Sequence, residues 1–98
     1  MKTLCIYGCG GMGREIADLA FRMNRWEEII FVDDNIESRI VDEISVFTLE
    51  QILNFRKSNL EFIVAAGEPS SRKFLYEKLE QHALTYISII DPGVTLSR

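Results

Sequence analysis

The chain has 98 residues, of which 47% are hydrophobic, and its fifteen acidic and eleven basic residues give a formal net charge of -4. This length suffices for one small domain, and the apolar fraction excludes an intrinsically disordered chain. Because the balance is acidic and the basic residues are scattered, we expect no nucleic acid partner and no binding to an anionic membrane.

The cysteine and histidine content also restricts the function. Two cysteines, Cys5 and Cys9, and one histidine predict neither a disulfide framework nor a metal site. The short apolar run near the start is too brief for a signal peptide or a membrane span, so a cytoplasmic location is expected.

Apolar runs alternate with helical patterns along the chain, which is typical of parallel strands joined by helices. The helices are predicted to begin near Gly11, Thr48 and Ser70, the second with a capping box between Thr48 and Gln51 and an end near Lys57. The predicted strands are 3–7, 29–32, 45–47, 62–66 and 86–90.

Right-handed crossovers between these strands predict an α/β fold, a Rossmann-like doubly wound parallel sheet of four to five strands in three αβα layers. The expected strand order is 3-2-1-4-5, which places the topological switch point between the first and fourth strands. We therefore expect a ligand over the ends of strands one, two and four.

Gly8, Gly10 and Gly13 follow the first strand with the G-x-G-x-x-G spacing of dinucleotide-binding folds. That spacing provides a tight turn, an approach to a diphosphate and close helix packing. The alternative is a tight turn that binds nothing. No lysine followed by Ser or Thr occurs in the loop, which disfavours a Walker-type triphosphatase.

Asp33 lies twenty residues after Gly13, where such folds place an acid for ribose hydroxyls, and Asp34 follows it. Ligand contact by one of them is the favoured interpretation, against two carboxylates that only end a strand in solvent. An acid here also disfavours a 2′-phosphorylated cofactor.

The segment 67–72 joins the fourth strand to the last helix, with Pro69 near its first position and Ser70 as a candidate cap. Arg72 would lie in the first turn, where the helix dipole disfavours a cation. We expect a partner for it, either a phosphate or Asp33/Asp34, although a solvated arginine is equally compatible.

Two further side chains invite chemical roles. Cys9 at a helix start could be a reactive thiol with a lowered pKa, but a small residue tolerated in a glycine turn is the favoured interpretation. His82 falls near the end of the last helix, where the dipole alone favours it.

Three spaced segments, 8–17, 31–34 and 65–72, resemble the N-terminal domain of bacterial sugar acetyltransferases of the left-handed β-helix, hexapeptide-repeat class. These are the sialic-acid and bacillosamine-type enzymes. The resemblance covers essentially the whole chain. It implies a domain at 1–90 that binds a UDP-amino sugar or a sialic-acid-type acceptor, and a β-helix that begins within 91–98, where Ile90–Thr95 resembles its first hexapeptide.

The resemblance also implies site residues. Gly8, Gly10, Gly11 and Gly13 would line the diphosphate, Asp33 and Asp34 would lie near uridine or ribose, Gly67 would form the adjoining wall, and Arg72 would orient or neutralise the ligand. Met12 stands where the family often has an aromatic residue or histidine.

In this family acetyl-CoA and the catalytic histidine belong to the β-helix. The resemblance therefore implies no catalytic residue, no cofactor and no acetyl transfer within these residues alone, and a homotrimer only with the β-helix. An NAD-binding Rossmann domain of a sensor or dehydrogenase stays open as the alternative, as does a structural or oligomerisation module with a vestigial loop.

Overall fold

The computed structural model describes residues 2–35, 39–55, 59–89 and 96–97. Its helices are α1 (Gly11–Met23), α2 (Leu49–Phe55) and α3 (Pro69–Gln81). Its strands are β1 (Thr3–Tyr7), β2 (Glu28–Val32), β3 (Ile40–Val41), β4 (Ile44–Phe47), β5 (Leu60–Val64), β6 (Tyr86–Ile89) and β7 (Leu96–Ser97).

Over the described residues, the strands form one sheet in the order β3-β4-β2-β1-β5-β6-β7. The five central strands are parallel, and their order confirms the predicted 3-2-1-4-5. The sheet is mixed rather than wholly parallel, because β3 and β7 pair antiparallel at its two edges. Two-residue strands are too short to produce a hydrophobic period, which is why the sequence pattern did not predict them.

Successive side chains of β1 point to opposite faces of the sheet, and this alternation explains the three layers. Leu4 and Ile6 pack in the cluster that contains the apolar stripe of α1, whereas Cys5 and Tyr7 pack with residues of α2 and α3. A strand buried on both faces needs apolar residues at every position, and β1 is such a strand. The expected Rossmann-like αβα arrangement is thereby confirmed.

The starts of α2 and α3 test the capping predictions. The Gln51 N–H donates to Thr48 Oγ1 at 3.1 Å and the Thr48 N–H donates to Gln51 Oε1 at 2.9 Å, so the capping box is confirmed. The predicted cap at Ser70 is wrong, because α3 begins at Pro69 with Glu68 in the N-cap position. The predicted end of the second helix near Lys57 lies outside the described residues.

A buried carboxylate forms polar contacts at the amino-terminal end of the sheet's strands. Glu61 is 4% exposed; Oε1 accepts the Trp26 indole N–H at 3.0 Å and Oε2 lies 3.3 Å from Lys2 Nζ. No helix within the described segments combines the length and apolar character needed to cross a bilayer.

Candidate functional site

A cavity of about 590 Å³ opens at the carboxyl ends of β1, β2 and β5, at the switch point of the sheet. Its position follows from the topology, because the crossovers on either side of β1 and β5 run in opposite directions and leave a crevice between them. The cavity is lined by residues that follow the three strands and by one face of α3: Tyr7, Gly8, Cys9, Gly10, Asp33, Asp34, Asn35, Ala65, Ala66, Ser70, Ser71, Phe74, Leu75 and Lys78.

The glycines of the loop after β1 serve different physical purposes. Gly8 has a φ of +117°, and a Cβ there would lie 2.7 Å from the carbonyl oxygen of Ala65. A Cβ on Gly13 would overlap the carbonyl oxygen of Gly8, so α1 can approach β1 only without a side chain at that position. Gly10 has nothing within 4 Å of its Cβ position and borders the cavity. The backbone at Gly10 is therefore open to a ligand.

The Asp34 side chain accepts hydrogen bonds from three different elements of the fold. Its Oδ2 accepts the Tyr7 hydroxyl at 2.6 Å and lies 2.9 Å from Lys78 Nζ, while its Oδ1 accepts the Leu49 N–H at 2.9 Å. Burial opposes ionisation, but these three donors outweigh it and hold the pKa of Asp34 below its ordinary value. Asp34 thus links β1, β2, α2 and α3 as a carboxylate.

The pKa of Tyr7 is shifted in the opposite direction to that of Asp34. Burial of the phenol, together with its hydrogen bond to the Asp34 carboxylate and the charge of that group, raises the pKa of Tyr7 far above its ordinary value. The hydroxyl therefore remains a donor, and it keeps Asp34 in place at the floor of the cavity.

Asp33 holds the glycine loop against the end of β2. Its Oδ2 accepts the Cys9 N–H at 3.4 Å and the Cys9 thiol at 3.5 Å, and its Oδ1 accepts the Asn35 N–H at 2.9 Å. Burial and the neighbouring Asp33 charge raise the pKa of Cys9. The lowered pKa considered for this thiol from its helix start is therefore wrong, since desolvation and a carboxylate outweigh the dipole.

Half of the predicted site residues meet at this cavity: Gly8, Gly10, Asp33 and Asp34. The other four do not border it. Gly13 is packed inside the turn, Gly11 begins α1, and Gly67 follows β5 just beyond the lining pair Ala65 and Ala66. Arg72 contacts neither Asp33 nor Asp34; its Nη2 lies 3.4 Å from the Gly67 carbonyl oxygen.

Sequence reasoning missed the contribution of α3. Ser70, Ser71, Phe74 and Lys78 face the cavity on one side of the helix, because Phe74 lies three or four residues after the serines and Lys78 lies four residues after Phe74. Phe74 is 61% exposed although it is a large apolar residue. That spacing was visible in the sequence, but it did not reveal which face of the helix meets the sheet.

His82 is exposed at the C-cap of α3 and borders a second cavity between α2 and α3. The resemblance at Ile90–Thr95 lies outside the described residues, so the β-helix remains a prediction. Within the described residues, no three His, Cys, Asp or Glu side chains are placed to hold a metal ion.

Solved structures with the same fold include two acetyltransferase structures. The acetyltransferase domain of PglB from Neisseria gonorrhoeae FA1090 is 25% identical, with a TM-score of 0.72 over 86% of this chain and 42% of that chain. The same domain in complex with acetyl coenzyme A is 23% identical, with a TM-score of 0.71 over 85% and 40%. The chain therefore spans less than half the length of these relatives.

A third structure extends the likeness to another enzyme class. UDP-D-quinovosamine 4-dehydrogenase from Vibrio fischeri is 19% identical, with a TM-score of 0.64 over 92% of this chain and 79% of that chain, which shows a shared fold. A search of curated proteins finds no match. The family model of the PglD N-terminal domain matches residues 3–79, which include β1 to β5 and most of α3. The chain therefore belongs to the PglD N-terminal domain family.

Proposed function

We propose that this chain is the nucleotide-sugar-binding domain of a bacterial sugar acetyltransferase. The observation that carries the proposal is the cavity at the switch point, where Gly8 and Gly10 form the wall beside the start of α1. Unpaired N–H groups at the start of a helix attract an anion, and an open backbone lets a diphosphate come close. Family membership and the acetyltransferase relative support the same function.

The ligand class follows from the polar groups around the cavity. Hydroxyls of Ser70 and Ser71, the carboxylates of Asp33 and Asp34 and the exposed ring of Phe74 provide donors, acceptors and an apolar surface. A nucleoside diphosphate sugar offers matching groups in its phosphates, ribose and base. The name of the Vibrio fischeri relative, a UDP-sugar enzyme, is consistent with this class.

On this proposal the chemistry takes place elsewhere in the protein. Acetyl-CoA and the histidine base would belong to a β-helix that begins within residues 91–98, and assembly into a homotrimer would depend on that part. The domain would present the amine or hydroxyl of the bound sugar to it, in the cytoplasm. The substrates of the whole protein would then be acetyl-CoA and a nucleotide-linked sugar.

An NAD-binding role is the second candidate, since Gly8, Gly10 and Gly13 with Asp33 also match the dinucleotide pattern. Calorimetry of the chain against UDP, UDP-amino sugars and NAD separates the two. We expect heat from UDP and UDP-amino sugars; silence at millimolar ligand, with NAD bound instead, would contradict the proposal.

A structural module with a vestigial loop is tested by variants of the same chain. Gly10→Val places a side chain in open space at the cavity wall, so the fold should persist while UDP binding is lost. Asp33→Ala removes acceptors from the same wall. Normal folding with unchanged affinity for every ligand in both variants would favour the structural module.

A further inference from the structure

Lys78 occupies a distinctive position in the cavity. Among the described residues that line it, Lys78 alone carries a cationic side chain. Its Nζ lies 2.9 Å from Asp34 Oδ2 and 5.8 Å from the centroid of the Phe74 ring. The lysine is thus held between a carboxylate and an aromatic face that both border the same space.

We propose that Lys78 binds the diphosphate of the ligand, and that its ammonium leaves Asp34 for the phosphates when the ligand enters. This inference rests on the nucleotide-sugar function proposed above and adds the residue that recognises the ligand's charge. It assigns to Lys78 the neutralising role that the family resemblance had implied for Arg72.

Asp34 can release the lysine and still accept one hydrogen bond on each of its two oxygens. The Tyr7 hydroxyl remains on Oδ2 at 2.6 Å and the Leu49 N–H remains on Oδ1 at 2.9 Å. Each carboxylate oxygen therefore keeps one donor, and the partly buried charge stays solvated by the protein. The flexible four-carbon stem of lysine allows its ammonium to change partners by rotation of the side chain alone.

The two carboxylates of the cavity make a nearby cation favourable for binding a diphosphate. Asp33 and Asp34 would repel a diphosphate placed in the same space. Moving Lys78 toward the phosphates offsets that repulsion, whereas Arg72 borders a different cavity on the far side of α3. Pairing with Asp34 before binding keeps the ammonium at the cavity wall.

Calorimetry with UDP and with uridine tests the role of Lys78. Lys78→Met should weaken UDP binding by about tenfold to a hundredfold, as expected when a hydrogen bond to a charged group is lost, and should change uridine binding little. Arg72→Met is the matched control, because it removes a cation from the same helix outside the cavity wall; it should leave both affinities near those of the wild-type chain. Lys78→Arg should retain most of the UDP affinity.

Two results with the Lys78→Met variant would overturn the inference. One is Lys78→Met binding UDP as tightly as the wild-type chain; the other is an equal loss for UDP and uridine, which would mean that Lys78 acts by positioning Asp34. Urea unfolding of each variant checks the fold, and the salt dependence of wild-type UDP binding gives a second measurement that needs no variant. Affinity that does not fall with added salt would also contradict the inference. A wild-type chain that binds no uridine nucleotide would instead refute the proposed function itself.

Discussion

The Tyr7 hydroxyl donates a 2.6 Å hydrogen bond to Asp34 Oδ2 and thereby joins the carboxyl ends of β1 and β2. The same carboxylate receives the first N–H of α2, from Leu49, and the ammonium of Lys78 from α3. One side chain therefore fixes the relative positions of two strands and two helices around the cavity. Changes to its donors should affect both stability and ligand binding.

Tyr7→Phe should lower the free energy of unfolding by about 1.5–3 kcal/mol, the range for a lost hydrogen bond to a charged group. The ring remains, so its packing against Phe62 in the core is retained. Urea unfolding of the two chains measures the difference. The matched control is Tyr86→Phe, which removes a hydroxyl bonded to Glu80 at the surface and should leave stability unchanged. Equal effects of the two substitutions would show that the Tyr7–Asp34 bond has no special weight.

Unfolding measurements at low pH should reveal the contribution of the Asp34 carboxylate to stability. Its pKa in the folded chain lies below the ordinary value of 3.8, so the folded state binds its proton less readily than the unfolded state. The resulting stabilisation is fully present above 3.8 and is lost as the pH falls through the folded pKa. The difference in unfolding free energy between the wild-type chain and Asp34→Asn should therefore be constant from neutral pH down to about 5 and shrink below 3.8. A difference that does not change over that acid range would contradict the lowered pKa.

Gly13→Ala should destabilise the fold by about 1–3 kcal/mol, because the new methyl group overlaps the Gly8 carbonyl oxygen and α1 must move away from β1. Gly11→Ala is the control, since nothing lies within 4 Å of its Cβ position at the start of the same helix. Thermal unfolding of both variants measures the effect. Equal melting temperatures would mean that α1 is not packed as closely against the strand as the structure shows.

Parts of the fold and site that follow from sequence patterns and from the handedness of chain connections were predictable, and those that depend on which face of a helix packs against the sheet were not. The strand order follows from apolar runs and right-handed crossovers, and the Thr48–Gln51 capping box lies within four residues. The contact of Lys78 with Asp34 joins residues 44 apart in sequence. Arg72 and Lys78 lie about 120° apart around α3 at 3.6 residues per turn, so only the packed helix reveals which cation meets the cavity.

The contact between Trp26 and Glu61, at the amino-terminal end of the strands and away from the cavity, allows effects on stability to be separated from effects on binding. Trp26→Phe removes the indole N–H that Glu61 Oε1 accepts at 3.0 Å, while it keeps an aromatic side chain in the core. Glu61 is buried, so the loss of this hydrogen bond to its carboxylate should lower the free energy of unfolding by about 1–3 kcal/mol. Affinity for UDP, measured by calorimetry, should stay unchanged, because neither side chain borders the cavity at the carboxyl ends of the strands. Trp26→Phe that is as stable as the wild-type chain would contradict the weight given to this hydrogen bond. A folded Trp26→Phe variant with weakened UDP binding would show that the amino-terminal and carboxyl-terminal ends of the strands are energetically coupled.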